Sequence, residues 1–205
     1  LYKCINFAAN HNYKYIVMEV SSQGLKESRV KYVDFDIGLL SNITIDHLDY
    51  HKTFDDYFYT KVNFLYSCKI KIINGCCEKY REIVNSINDF NIITYGVISN
   101  NFNNQSNYYD YFASNLSLSL VESNFLLHIK KDCFKYYITT SLLGDYNISN
   151  ILGMIAIIDN ITNKTFLNNR IFSFLKNKIE IKGRFDVVKC TKGCFVIDSC
   201  IYTNI

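Results

Sequence analysis

Three side chains of this sequence can do chemistry together if the fold brings them close: a carboxylate, an imidazole and an amine. Glu19 lies near the end of an apolar run at 15–20, His47 follows the run at 35–43, and Lys61 lies in a helical stretch at 53–66. A hard oxygen ligand with one imidazole suits Mg²⁺ or Mn²⁺ in a site that handles phosphate. Because parallel strands bind ligands at their carboxyl ends, Glu19 and His47 are candidate metal ligands. Each also has a simpler interpretation, as an acid that caps a turn and as an ordinary loop histidine.

Lys61 is unusual because it takes a position on the apolar face of its predicted helix. Phe54, Tyr57, Phe58 and Leu65 share one helical stripe with it. One interpretation is a lysine whose methylene stem packs while its ammonium reaches water. The other is a partly desolvated amine with a lowered pKa. Such an amine can react with CO₂ to form an anionic carbamate that binds a metal, and the spacing alone leaves both interpretations open.

A small polar turn follows the 15–20 run. Its residues Ser21, Ser22 and Gly24 carry backbone amides that can receive an anion, or they form only a tight connection between a strand and a helix. Further along, His47 and His51 are four residues apart, a spacing that can bind zinc on a helix. The sequence around them is not H-E-x-x-H, which disfavours zinc.

Four polar residues in the second half complete the candidates. Asn147 and Asn150 flank the start of an apolar helix, where an asparagine can also simply cap the helix. Arg184 enters a predicted hairpin and can meet a phosphate or stay exposed. Asp198 ends the last predicted strand, another position that favours ligands.

The composition predicts a globular protein and excludes several partners. Of 205 residues, 49% are hydrophobic and 20% are charged, which is typical of a folded domain. The formal net charge of +3 is small and evenly spread, so we expect no nucleic-acid partner, although an anionic ligand is compatible with it. The eight cysteines show no C-x-x-C spacing and are expected to be reduced thiols. No apolar run is long enough for a membrane helix, and no signal peptide is recognisable. We expect a cytoplasmic monomer.

Strands and helices alternate in the first half, which predicts a mostly parallel sheet with helices on its faces. The predicted strands lie at 15–20, 35–43, 69–74 and 91–95, and the predicted helices lie near 3–12, 53–66 and 78–88.

From about residue 107 the pattern changes to two-residue alternation, which predicts a small antiparallel patch within an α/β fold. The predicted short strands lie at 108–113, 116–122, 125–130 and 134–141, with turns at 123–124 and 131–132. Two helices at 147–161 and 165–178 follow, and a hairpin at 184–198 ends the pattern.

Taken together, these segments resemble the central domain of the Mur ligases, in particular those that add the third residue of the peptidoglycan stem peptide. The resemblance rests on motifs in a fixed order that span nearly the whole chain. They are Met18-Glu-Val-Ser-Ser-Gln-Gly-Leu25 with Arg29, Ser41-Asn-Ile-Thr-Ile-Asp-His-Leu-Asp-Tyr-His51, Tyr59-Thr-Lys61, Leu143-Gly-Asp-Tyr-Asn-Ile-Ser-Asn-Ile-Leu152, Gly183-Arg-Phe-Asp186 and Val196-Ile-Asp198.

The resemblance implies an ATP-dependent ligase that activates a carboxylate of a UDP-muramyl-peptide as an acyl phosphate, which the amine of an amino acid then attacks. Magnesium would be bound by three residues, with the lysine as its carbamate: Glu19, His47 and Lys61. Substrate would be bound by four residues: Ser21, Ser22, Glu27 and Arg29. The nucleotide would be contacted by four more: Asn147, Asn150, Arg184 and Asp198.

Three features depart from the family pattern. Glu27 stands where glutamine is usual, and 199–204 replaces a segment that normally carries a histidine. No G-x-x-x-x-G-K-[ST] phosphate loop occurs in the sequence. We therefore expect residues 1–198 to be a central ATP-binding domain without its phosphate loop, with 199–205 leading towards a further domain, and we expect the chain alone to be inactive.

Two alternatives stay open from the sequence. Folylpolyglutamate and cyanophycin synthetases share the same chemistry. A catalytically inactive remnant that keeps only nucleotide or partner binding belongs to a different functional class.

Overall fold

The computed structural model describes residues 1–44, 49–87, 91–98, 109–162, 169–177, 179, 186–190 and 193–197. The helices in these ranges are α1 (Tyr2–Asn10), α2 (Ser22–Lys26), α3 (Phe54–Tyr66), α4 (Tyr80–Ile87), α5 (Asp145–Ile161) and α6 (Asn169–Lys176). The strands are β1 (Phe35–Leu40), β2 (Cys68–Asn74), β3 (Ile92–Val97), β4 (Tyr111–Leu118), β5 (Ser123–Ile129), β6 (Phe134–Thr140), β7 (Asp186–Cys190) and β8 (Gly193–Ile197).

Six of the described strands form one sheet in the order β1-β2-β3-β4-β5-β6. The pairs from β1 to β4 are parallel, and the pairs β4–β5 and β5–β6 are antiparallel. The predicted α/β class, with a mostly parallel sheet and an antiparallel patch, is therefore confirmed. The patch is a continuation of the main sheet, because β4 belongs to both parts. β7 and β8 form a separate antiparallel hairpin.

Helices cover both faces of the parallel part of the sheet. In β2, Ile72 belongs to the core that α5 covers, and its neighbour Ile73 belongs to the core that α3 and α4 cover. Both side chains are fully buried. Successive strand side chains point to opposite faces, so consecutive apolar residues are expected in a strand that is covered on both faces.

The predicted strand at 15–20 is wrong. These residues form no strand, and Tyr15, Ile16 and Val17 are exposed, the last to 96%. An apolar run becomes a buried strand only when a neighbouring strand satisfies its backbone groups and a helix covers its side chains. In this structure the run lies outside the sheet, whose order begins at β1.

Two further expectations in the antiparallel patch need correction. The strands predicted at 108–113 and 116–122 are one strand, β4, which continues through a register shift between Ser114 and Ser117. The turn predicted at 123–124 lies at Ser119–Glu122 instead, where the Ser119 hydroxyl accepts hydrogen bonds from the amides of Val121 and Glu122. The expected turn at 131–132 is confirmed as a single 3₁₀ turn, Lys130–Asp132.

Candidate functional site

The turn after residue 20 is built around a serine cap. Ser21 is the N-cap of α2, and its Oγ accepts a hydrogen bond from the Gly24 amide at 3.0 Å. Ser22 is buried, whereas Glu19 is exposed just before the turn. The cap explains why a five-residue helix forms here, since it satisfies one of the orphan amides at the helix start. Glu19 therefore lies two residues before the cap that starts α2.

Glu27 and Arg29 form an exposed ion pair directly after α2. Arg29 Nη2 lies 2.5 Å from Glu27 Oε2, and Gln23 Nε2 donates to Glu27 Oε1 at 3.1 Å. The hydrogen bond from Gln23 and the Arg29 guanidinium lower the pKa of the Glu27 carboxyl. The Glu27 carboxylate therefore partly neutralises Arg29, the residue expected to meet an anionic substrate.

Lys61 lies at the edge of the inward face of α3. Thr53 caps this helix by accepting a hydrogen bond from the Asp56 amide at 3.1 Å. Tyr57, Phe58, Val62 and Leu65 are buried, while Lys61 is half-buried with its Nζ 4.8 Å from the centre of the Tyr57 ring. Lys61 forms no ion pair with any residue that the structure describes.

A network that the sequence did not reveal joins α2 to the start of α3. Asp56 Oδ1 lies 2.5 Å from Lys26 Nζ, and Asp56 Oδ2 lies 3.2 Å from His51 Nδ1. The hydrogen bond from Lys26, followed by that from His51, lowers the pKa of the Asp56 carboxyl. His51 is completely buried. Sequence reasoning considered His51 only as a partner of His47 for zinc, and no spacing rule connects it with Asp56 or Lys26.

The carboxyl ends of β1 and β2 meet the first turn of α5. Asn74 Nδ2, at the end of β2, donates to Ser41 O at 2.8 Å and to Ser149 Oγ at 3.2 Å. Asn147 is buried and donates to Leu143 O at 2.7 Å, whereas Asn150 is exposed. The two predicted asparagines therefore differ, since only Asn150 presents its amide to solvent. Asn74 was missed, because an asparagine at a strand end looks like an ordinary turn residue.

Three predicted site residues, His47, Arg184 and Asp198, lie outside the described residues. Within the part that is described, no three His, Cys, Asp or Glu side chains cluster closely enough to hold a metal ion. Because His47 lies outside the described residues and lysine is not one of these four residue types, the set of Glu19, His47 and Lys61 stays a prediction. Over the same residues no helix is long and apolar enough to cross a membrane.

Comparison with known proteins places this geometry in a family. The profile of the Mur ligase middle domain matches residues 1–158. The UDP-N-acetylmuramoyl-L-alanyl-D-glutamate–2,6-diaminopimelate ligase of Chlamydia abortus is 36% identical over 145 residues, which are 69% of this chain and 28% of that protein. The corresponding L-lysine ligase of Staphylococcus haemolyticus is 30% identical over 199 residues, covering 92% of this chain and 37% of its own length.

A solved structure of a UDP-N-acetylmuramoyl-L-alanyl-D-glutamate–2,6-diaminopimelate ligase has the same fold. It superposes with a TM-score of 0.68 at 27% identity, over 87% of this chain and 35% of that one. The chain thus spans about a third of the length of the relatives that it matches. The order of the motifs, the sheet topology and the match over residues 1–158 agree, and the chain belongs to the Mur ligase family as a middle domain.

Proposed function

We propose that this chain is the central part of a ligase that uses ATP to join an amino acid to UDP-N-acetylmuramoyl-L-alanyl-D-glutamate in peptidoglycan synthesis. The relatives named above are ligases that act on this substrate. The observation that carries the proposal is the environment of Lys61. Its amine lies beside an aromatic ring on a half-buried helix face, and no described carboxylate pairs with it.

The chemistry of the predicted ligands supports a magnesium site as part of this proposal. Glu19 offers an exposed carboxylate, and Lys61 offers an amine that can become a carbamate, so both would supply oxygen ligands of the kind Mg²⁺ prefers. His47 would complete the set. When bound, ATP would supply the phosphoryl group, and magnesium would supply the positive charge that stabilises its transfer to the substrate carboxylate.

The chain's own residues would then bind and orient the reactants. Ser21 and Ser22 lie at the start of α2, next to Glu19, and would position the muramyl-peptide near the metal. Arg29 would meet an anionic part of that substrate with a charge already reduced by Glu27. Asn150, exposed on the first turns of α5, would approach the nucleotide with Asn147, Arg184 and Asp198.

Replacing Lys61 tests this proposal in the natural protein, expressed at the full length of its gene. Lys61→Ala should lower turnover by at least about 100-fold, because a group that stabilises transferring charge is lost. Short carboxylic acids should restore part of the activity by substituting for the carbamate. Phosphate release that depends on both the UDP-muramyl-peptide and an amino acid is the measurement.

Lys69→Ala is the matched control. Lys69 is an exposed lysine near the amino end of β2, where it pairs with Asp36 of β1. The predicted site lies at the carboxyl ends of these strands. The control variant should keep its activity and should not respond to carboxylic acids. Near-normal turnover of Lys61→Ala would refute the metal-site assignment. A wild-type protein without any ligase turnover would refute the proposed function itself.

A further inference from the structure

Asp56 connects three segments through one side chain. Its Oδ1 accepts from Lys26 Nζ in α2, and its Oδ2 accepts from His51 Nδ1 in the connection before α3. Its own backbone is held in α3, where its amide donates to Thr53 Oγ1 and its carbonyl accepts from the Thr60 hydroxyl at 2.6 Å. Any displacement of one segment must therefore strain or break a contact to the other two.

His51 occupies an environment that packing alone does not explain. The side chain is fully buried, and the rings of Tyr50 and Tyr57 lie edge-on to it at centroid distances of 5.2 and 5.3 Å. Since the Asp56 carboxylate accepts, His51 Nδ1 is the donor, and among the residues that the structure describes the buried Nε2 has no hydrogen-bond partner. A buried polar atom without a hydrogen bond lowers the stability of the fold. A phenyl ring would fill the same space without that cost.

The carboxylate–imidazole pair is an arrangement that fixes the orientation of a histidine ring. Here the fixed ring contacts Tyr57, and Tyr57 in turn lies under Lys61 Nζ at 4.8 Å. At the other end, Lys26 is the last residue of α2, whose N-cap is Ser21. A continuous series of contacts therefore runs from residues 21–24, called here the serine turn, to Lys61.

We propose that the Lys26–Asp56–His51 network is a positioning device that sets the serine turn and Lys61 at a fixed separation for the ligase reaction. This inference rests on the proposed function, in which the turn binds the muramyl-peptide and Lys61 binds the metal. In this proposal none of the three residues has to contact a reactant. They act through α2, which carries the Ser21 cap, and through Tyr57, which contacts both His51 and Lys61.

Two neighbouring aspartates on the first turn of α3 give a matched pair of variants. Asp56→Asn and Asp55→Asn remove the same charge at the same helix end, but Asp55 is exposed and belongs to no described hydrogen bond or ion pair. In the natural full-length protein, Asp56→Asn should lower kcat/KM about 10- to 100-fold, because reacting groups lose their alignment. Asp55→Asn should stay within about twofold of wild type, as expected for an unconnected surface group.

Hydrogen exchange provides a readout that needs no activity. Asp56→Asn should speed amide exchange in 21–29 and in 49–53 together, whereas Asp55→Asn should change neither segment. Equal exchange and equal kinetics for the two variants would overturn the inference. An inactive wild-type protein would count against the proposed function alone, because the exchange comparison would still decide whether the network positions these segments.

Lys26→Gln covers the case in which Asp56→Asn does not fold. The Lys26 side chain is 39% exposed, so its replacement leaves the core intact. We expect a higher KM for the muramyl-peptide, a smaller change in kcat, and faster exchange in 21–29. Wild-type KM together with wild-type exchange in Lys26→Gln would refute the network.

Discussion

Residues 15–20 and strand β1 are similar apolar runs with different outcomes. β1 pairs with β2 over five register positions, and its Gly38 and Leu40 are buried. The run at 15–20 pairs with nothing described, and its Val17 is 96% exposed. The difference extends to the whole of residues 1–34, in which α1 has no buried residue and only Ser22 and Gly24 are buried. Apolar sequence predicts burial only where the fold supplies a surface to receive it.

The largest difference in stability between residues 1–34 and the sheet with its core is expected when an apolar side chain of each is shortened to alanine. Leu152 in α5 is fully buried in the core above the sheet. Leu152→Ala should lower the free energy of unfolding by about 2–5 kcal/mol, because it leaves a cavity. Val17→Ala should change it by less than about 0.5 kcal/mol. Urea unfolding of both variants measures this, and a large loss for Val17→Ala would show that 15–20 is packed after all.

A smaller difference is expected for glycines in the two regions. A Cβ at Gly75 would lie 2.0 Å from Cε1 of Tyr109, whose ring is buried against Gly75 and Gly96. Gly75→Ala should therefore cost about 1–3 kcal/mol of unfolding free energy through overpacking.

Gly24→Ala in α2 is the matched variant for Gly75→Ala. The atoms nearest its new Cβ are Ser21 Oγ at 3.1 Å and Arg29 Cδ at 3.7 Å, both on side chains that can shift. We expect a change below about 0.5 kcal/mol. Equal losses for the two variants, measured in the same urea titration, would mean that α2 is packed as tightly as the sheet.

The smallest effect concerns the ion pair that joins the two regions. The pKa of Asp56 is lowered in the folded protein, chiefly by Lys26. A depressed carboxyl pKa stabilises the fold above the unfolded value and loses that contribution as pH falls through the folded value. Wild type should therefore exceed Asp56→Asn in stability by a constant amount near neutral pH. The difference should shrink below about pH 4. A difference independent of pH would mean that the charged Asp56 carboxylate does not stabilise the fold through its pair with Lys26.

Much of the fold was predictable from local pattern. Apolar runs and helical periodicity predicted β1, β2, β3, α3, α4 and α5. These patterns are clear because helices cover both faces of the sheet, so most inward-facing positions of the strands and helices are apolar. The strand at 15–20 was predicted wrongly by the same rule. The sequence also did not predict that two of the expected strands form the single strand β4, since a register shift within a strand resembles a turn in the sequence.

The candidate site was only partly accessible to the same reasoning. The position of Lys61 on the inward face of α3 follows from helical spacing and was predicted. The contacts of Asn74 with Ser41 and Ser149, and of Asp56 with Lys26 and His51, join residues between 5 and 75 positions apart. No periodicity connects such residues.

The sequence by itself determined most of the helices and strands of the covered sheet, which face of α3 turns inward, and which polar residues follow apolar runs. These properties depend on local backbone preference and on the repeat of apolar side chains. Only the tertiary structure decided that 15–20 stays outside the sheet and that Asp56 holds α2, His51 and α3 together. The pairing of a strand and the closing of an ion pair depend on groups that are distant in the chain and close in space.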